Sequence, residues 1–283
     1  MKPKKAPVAP TALFEPVCNW TGKNVAVLLP WYKTVNPITA LGIMAMIDRS
    51  KMGVIMAHGD AMISHARDSL AQQFLDSTQA EWALMIDDDM VLPFGNAYAF
   101  NAFTNFGFPA EFAGMHTINR LLSHGKTLVG GLYFGRQPGG LPMYAEGVSH
   151  PDEAEAARRA PVDTIKPTRW IATGCLLIHR QVFLDIDAKY PELKRRFFSP
   201  SEPDLMVATR KAMELLAQDP PAVTEAQALL VEGLALAKSN SPVGLGEDVT
   251  FSVRVAAVGH QPHVDMGLVC GHAGQRIYGP GIA

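Results

Sequence analysis

Short apolar runs alternate with amphipathic stretches over the first 90 residues. Residues 24–29, apolar throughout after Asn24, are ended by Pro30, with the aromatics Trp31 and Tyr32 behind it. This predicts a first buried strand. Residues 37–47 predict a short helix, with Pro37 tolerated in its first turn. Residues 54–57 predict a second strand. Asp60 is placed to cap a helix over about 61–76, with Ile63, Ala66, Leu70 and Phe74 on one face. The apolar run 82–86 predicts a third strand, and it stops at three consecutive aspartates, Asp87, Asp88 and Asp89. Strand, helix, strand, helix, strand predicts a parallel, Rossmann-like half-sheet.

Beyond residue 90 the pattern loosens. Residues 110–124 predict a helix stopped by Gly125, and residues 127–134 a strand. Residues 135–163 are rich in glycine, proline and charge and predict surface loops. Residues 170–178 predict one strand containing Thr173, Gly174 and Cys175, followed by a short helix over 181–187. Two helical stretches, about 204–218 and 223–238, are split by Pro220 and Pro221. They predict a helical insertion at about 190–241. Residues 247–258 predict a helix closed by Gly259, and residues 263–269 the last strand. The expected organisation is an N-terminal arm over 1–20 and one α/β domain over 21–283 that includes the insertion.

Composition changes this picture little. The 283 residues are 48% hydrophobic and 18% charged, enough for a substantial core. A net charge of −2 gives no field favouring nucleic acid or anionic membrane. No apolar run reaches the ~20 residues of a membrane span. Cys18, Cys175 and Cys270 are too widely spaced for a disulfide framework or a zinc pattern. That suits a reducing, cytoplasmic setting.

The chemistry concentrates in polar residues at the ends of apolar runs. Aspartates at a strand's carboxyl end lie where open α/β sheets bind ligands. Neighbouring carboxylates repel unless they are solvated, protonated or joined by a cation. Mg²⁺ or Mn²⁺ relieves that repulsion and can carry substrate phosphates; a solvated acidic turn is the alternative. Glu247 and Asp248 stand at a predicted helix start, where the helix dipole favours negative charge. His272 follows the last strand and could join Asp89 on an ion, since Mn²⁺ accepts imidazole more readily than Mg²⁺ does. Arg67 lies in the second helix, where a surface ion pair is the plain alternative. Gly259 and Pro262 break any helix that could present His260 and His263 as a metal pair. His58 and His65 read as helix-face polar residues. Arg136 reads as a strand-end residue or a phosphate contact. Lys194, Arg195 and Arg196 beside Phe197 and Phe198 read as a solvated turn over two buried rings. Trp170, Tyr133 and Phe134 read as core packing or sugar stacking.

The ordered set resembles a GT-A glycosyltransferase of the broad family 2 type. It comprises the run ending at Pro30, Ala66-Arg67-Asp68, the DxD motif Asp87-Asp88-Asp89, the strand around Val129 to Phe134, Thr173-Gly174-Cys175, Gly246-Glu247-Asp248 and the late His272. The resemblance covers residues 24–274 without the stretch 190–241. It implies the GT-A fold, a mainly parallel central sheet flanked by helices, and a nucleotide-sugar donor such as a UDP- or GDP-sugar. It implies Pro30 and Tyr32 near the base, Asp87 and Asp88 on the nucleotide side, and Asp89, with Asp87 and His272, at Mn²⁺ or Mg²⁺. It also implies Arg67 at the diphosphate and Asp248 as catalytic base, with Glu247 as its alternate. The acceptor, a glycan, lipid-linked sugar, protein or modified nucleobase, is left open, as are stereochemistry and a homo-oligomer. Another Mg²⁺- or Mn²⁺-dependent nucleotidyl- or phosphotransferase, or a non-catalytic nucleotide-sugar binder, stays open beside it. No Gly-x-x-x-x-Gly-Lys-Ser/Thr loop supports a P-loop enzyme.

Overall fold

The computed structural model describes residues 25–31, 34–46, 52–57, 62–93, 115–135, 142–145, 163–199, 204–218, 220–239, 246–273 and 277–278. The arm 1–20, Tyr32, His58, Asp60 and Arg136 lie outside them. The opening half-sheet has the expected order. Strand β1 (Val25–Pro30) is buried along its whole length. It is followed by helix α1 (Pro37–Met46), β2 (Met52–Ala57), helix α2 (Ile63–Ser77) and β3 (Trp82–Ile86). β1 pairs in parallel with both β2 and β3. Uninterrupted apolar runs suit strands whose two faces are both covered. α2 starts later than its pattern predicts, with Met62 at the N-cap and no side-chain capping bond.

The later elements complete a mixed α/β fold. They are β4 (Met90–Val91), helix α3 (Thr117–Ser123), β5 (Leu128–Leu132), β6 (Tyr144–Ala145), β7 (Ile165–Pro167), β8 (Trp170–Ile171) and β9 (Cys175–His179). Helices α4 (Arg180–Lys189), α5 (Asp204–Leu216), α6 (Val223–Ser239) and α7 (Glu247–Ala257) follow, then β10 (His263–Val269), β11 (Gly271–Ala273) and β12 (Ile277–Tyr278). The seven-stranded central sheet has the order β2-β1-β3-β9-β5-β10-β7. β9 is antiparallel to β3 and β5, and β7 is antiparallel to β10, so the other five strands share one direction. The central sheet is therefore mainly parallel, with helices flanking it. A small sheet, β12-β11-β4, sits beside the aspartates. α5 and α6 form the helical excursion and pack on each other, with Ala212 and Ala226 buried. No helix among the described residues is long and apolar enough to cross a membrane.

One expected strand is two. The run 170–178 breaks into β8 and β9 around a turn at Thr173 and Gly174. An added Cβ at Gly174 would come within 2.7 Å of the Tyr133 hydroxyl and 3.1 Å of the Met90 sulfur. Only glycine lets this turn approach so closely.

Aromatic packing fixes the helices that carry the site. Phe74 of α2, Phe183 of α4, Phe197, Phe198 and Phe251 of α7 are buried together. Phe183 meets Phe197 at 5.0 Å between centroids, and Phe198 stacks on Phe251 at 4.3 Å. The turn before Phe197 has Lys194 and Arg195 at positive φ, and its ends are tied down by polar groups. Asp68 of α2 accepts from the N–H groups of Phe198 and Ser199, at 2.6 and 3.1 Å. Arg254 of α7 donates to the carbonyls of Arg196, Phe197 and Ser199. These bonds satisfy buried backbone groups that a loop would otherwise strand.

A second polar knot holds β10, which is irregular between Asp265 and Val269. The fully buried Asp265 accepts from Arg120 Nε at 2.6 Å, from Arg120 Nη2 at 2.9 Å and from the N–H groups of Gly267 and Leu268. His124 Nε2 lies 2.7 Å from the same carboxylate. Asp265→Ala is expected to lose about 3–5 kcal/mol in urea unfolding, because it leaves Arg120 and two amides without their acceptor. A loss below about 1 kcal/mol would show that the knot is dispensable.

Candidate active site

Four sequence-predicted residues converge at the carboxyl end of β3. Arg67, on the buried face of α2, is 3% exposed. Its Nη2 donates to Asp87 Oδ1 at 2.7 Å, and its Nη1 donates to Glu247 Oε1 at 2.7 Å and Asp248 Oδ1 at 3.3 Å. Asp87 comes from the end of β3, and the two other carboxylates come from the first turn of α7. Burial disfavours the guanidinium's charge, but the fields of Asp87, Asp248 and Glu247 more than offset it, so Arg67 stays cationic. The resemblance implies Arg67 at a diphosphate; in the structure both terminal nitrogens are taken by carboxylates. The surface ion-pair alternative is contradicted, because the residue is buried.

Asp248 is held asymmetrically. Thr173 Oγ1 donates to its Oδ1 at 2.6 Å and the Thr173 N–H donates to the same oxygen at 3.3 Å. With Arg67, three donors meet on Oδ1, and Oδ2 makes no hydrogen bond among the described residues. Burial pushes the carboxyl up to about 6, against the pull of Arg67 and the Thr173 hydrogen bond. Gly174, next in the turn, accepts from the Asp87 N–H at 3.1 Å and donates its own N–H to the Tyr133 hydroxyl at 2.8 Å. Burial, reinforced by Asp248 and Asp87, raises the Tyr133 phenol well above its ordinary value, so it stays protonated.

The other predicted residues lie around the small sheet. Antiparallel pairing sets His272 of β11 opposite Met90, and the Ala273 N–H donates to the Asp89 carbonyl at 2.6 Å. His272 is buried, its ring meets Tyr133 edge-on at 5.0 Å, and its Nδ1 lies 2.8 Å from the Phe134 carbonyl. A carbonyl only accepts, so Nδ1 carries the hydrogen. The Asp88 carbonyl accepts from the Asn36 N–H at 2.8 Å, which ties the aspartate turn to the entry of α1. Pro30 is buried at the end of β1. Among the described residues, no three His, Cys, Asp or Glu side chains form a group able to hold a metal.

Several other readings are settled by contacts. His260 sits between Thr127 Oγ1 and Asp185 Oδ2, at 3.0 and 2.8 Å. Arg195 pairs with Asp76 and Asp187 above the buried Phe197 and Phe198. Tyr133 and Phe134 are buried in the core. The sequence reading missed the parts of Thr173 and Tyr133. Thr173 stood in a predicted strand, and the signal for a turn was the glycine after it.

No protein-family model and no curated protein matches the chain. Similar solved structures exist, and they are distant. The crystal structure of A197 from STIV is 11% identical with a TM-score of 0.45, covering 88% of this chain and 85% of that one. The structure of GalNAc-T7 with UDP, GalNAc and Mn²⁺ is 10% identical with a TM-score of 0.40, covering 89% of this chain and 44% of that one. The structure of S. aureus TarS 1–349 is 16% identical with a TM-score of 0.31, covering 83% of each chain. Likenesses this remote assign no activity.

Proposed function

We propose that the chain transfers a sugar from a nucleotide-sugar donor to an acceptor hydroxyl, with Asp248 as the base. The observation that carries the reading is the carboxylate of Asp248, anchored through Oδ1 beside Asp87 at the carboxyl edge of the sheet, with Oδ2 making no hydrogen bond among the described residues. A base needs one oxygen fixed for aim and one left to receive a proton. In an inverting transfer, Oδ2 takes the proton of the acceptor hydroxyl as its oxygen bonds to the anomeric carbon. The bond from that carbon to the diphosphate breaks, and the nucleoside diphosphate leaves with the electron pair. Glu247, held by Arg67 at 2.7 Å, is the alternate base. Pro30, Tyr32, Asp87 and Asp88 serve the nucleotide side. The GT-A family 2 resemblance supplies the substrate class; a UDP- or GDP-sugar is the expected donor, and the segment 21–283 acts as one domain.

Asp89 and His272 would be the protein ligands of a Mn²⁺ or Mg²⁺ ion. The Phe134 carbonyl takes the Nδ1 hydrogen of His272, the outer support that metal-bound imidazoles use. Two protein ligands suffice where phosphate oxygens and water complete the shell. Such an ion would neutralise charge on the departing diphosphate.

The test incubates the protein with Mn²⁺ and a panel of UDP- and GDP-sugars and follows free nucleoside diphosphate with and without EDTA. Release that EDTA stops supports the reading; tight binding with no turnover of any donor contradicts it. Asp89→Ala is expected to lose Mn²⁺-dependent UDP or GDP binding in calorimetry while keeping the fold, read by circular dichroism. The Ala273 hydrogen bond uses the backbone of residue 89 and survives the substitution. Unchanged Mn²⁺-dependent affinity in this variant would remove Asp89 from the ion.

A further inference from the structure

We infer that Thr173 is the positioning residue of Asp248, holding the carboxylate by one oxygen so that the other is presented for proton transfer. This rests on the reading of Asp248 as the base. Thr173 is fully buried and gives the carboxylate two donors, its hydroxyl at 2.6 Å and its N–H at 3.3 Å, both to Oδ1. A single donor would let the carboxylate swing about its own axis. Two donors from one rigid turn, with Arg67 on the same oxygen, fix which oxygen is spent.

The turn itself is over-determined. Gly174 donates to Tyr133, accepts from Asp87 and leaves no room for a Cβ. On the other side, the N–H of Ile171 donates to Ser252 Oγ at 3.3 Å, and that hydroxyl donates to the Asp248 carbonyl at 2.8 Å. The backbone and the side chain of Asp248 are thus both tied to the β8–β9 connection. Tyr133, whose ring meets His272, brings the same turn into register with the far side of the site. A buried threonine hydroxyl needs some partner, so burial alone does not separate positioning from plain structure. The titration of its acceptor does.

The test is carbon-13 carboxyl NMR titration of Thr173→Val, Thr173→Ser and the wild type, with Asp248→Asn identifying the resonance. In the wild type the Asp248 carboxyl titrates at about 6. Valine keeps the volume and removes the donor that favours the charged form, so the midpoint rises to roughly 7 or above. Serine keeps the hydroxyl and the wild-type midpoint. Thr173→Cys, a weaker donor, falls between and carries the test if the valine variant does not fold. With any donor sugar that is turned over, the acid limb of kcat moves up with the carboxyl while KM for the donor stays unchanged. An unmoved midpoint in the valine or cysteine variant overturns the inference. Full turnover by Asp248→Asn overturns the base reading instead, whatever the midpoint does. The two failures are therefore distinct.

Discussion

Replacing Asp248 with asparagine is expected to abolish transfer and, above pH 6, to make the protein more stable. The carboxyl titrates at about 6 in the folded chain because burial disfavours its charge; in the unfolded chain it titrates near ~3.9. The folded state therefore binds the proton more tightly. Between those two values the unfolded chain loses its proton while the folded chain keeps it, so stability falls as pH rises. The slope is about 1.4 kcal/mol per pH unit, and the total cost is roughly 3 kcal/mol once the folded carboxyl is ionised. Asparagine carries no charge to bury, and its Oδ1 still accepts from both Thr173 donors. Arg67 retains Asp87 and Glu247, each at 2.7 Å. Melting temperatures of the two proteins should coincide near pH 4 and separate, with the variant higher, above pH 6. Turnover should fall by roughly 10²–10⁴-fold, the usual contribution of a positioned base. A variant that melts below the wild type at pH 8 would show that the ionised carboxylate supports the fold instead of burdening it.

That opposition between stability and activity was only half legible in the chain. The end of β3 at Asp87 and the start of α7 at Glu247 were both readable, because apolar runs and helix-start charges are local patterns. The parallel order of β1, β2 and β3 followed from the alternation of strands and helices. The antiparallel course of β9 did not, since a strand buried on both faces reads alike in either direction. The break at Thr173 was hidden for a related reason. Apolar residues run through it on both sides, and what demands a turn is the remote Tyr133 hydroxyl against Gly174. Arg67 read as a diphosphate contact by resemblance, or as a surface ion pair, and not as the hub of three carboxylates. Its partners lie 20, 180 and 181 residues further along, and no window on the sequence brings them together.

Loss of that arginine is expected to destabilise the fold. Arg67→Met keeps side-chain volume but leaves Asp87, Glu247 and Asp248 facing one another around an empty charge position. Removing the buried cation costs about 3 kcal/mol, the low end for a buried pair, because the three carboxylates lose their compensation but are 19–26% exposed and keep part of their hydration. The deficit should depend on pH with a definite sign. Arg67 is the charge that pulls the Asp248 carboxyl down against its burial, so without the guanidinium that carboxyl holds its proton still more tightly in the folded chain. Urea midpoints should therefore fall further behind the wild type as pH rises from 5 to 8, and recover as protons replace the missing cation. Arg67→Lys should recover only part of the loss. An ammonium is a single compact charge, whereas the guanidinium reaches Asp87 with one terminal nitrogen and both α7 carboxylates with the other. If Arg67→Met unfolded at the wild-type urea concentration at every pH, the guanidinium would add nothing to the fold, and the ionic cluster at the end of β3 would be disproved as a stabilising contact.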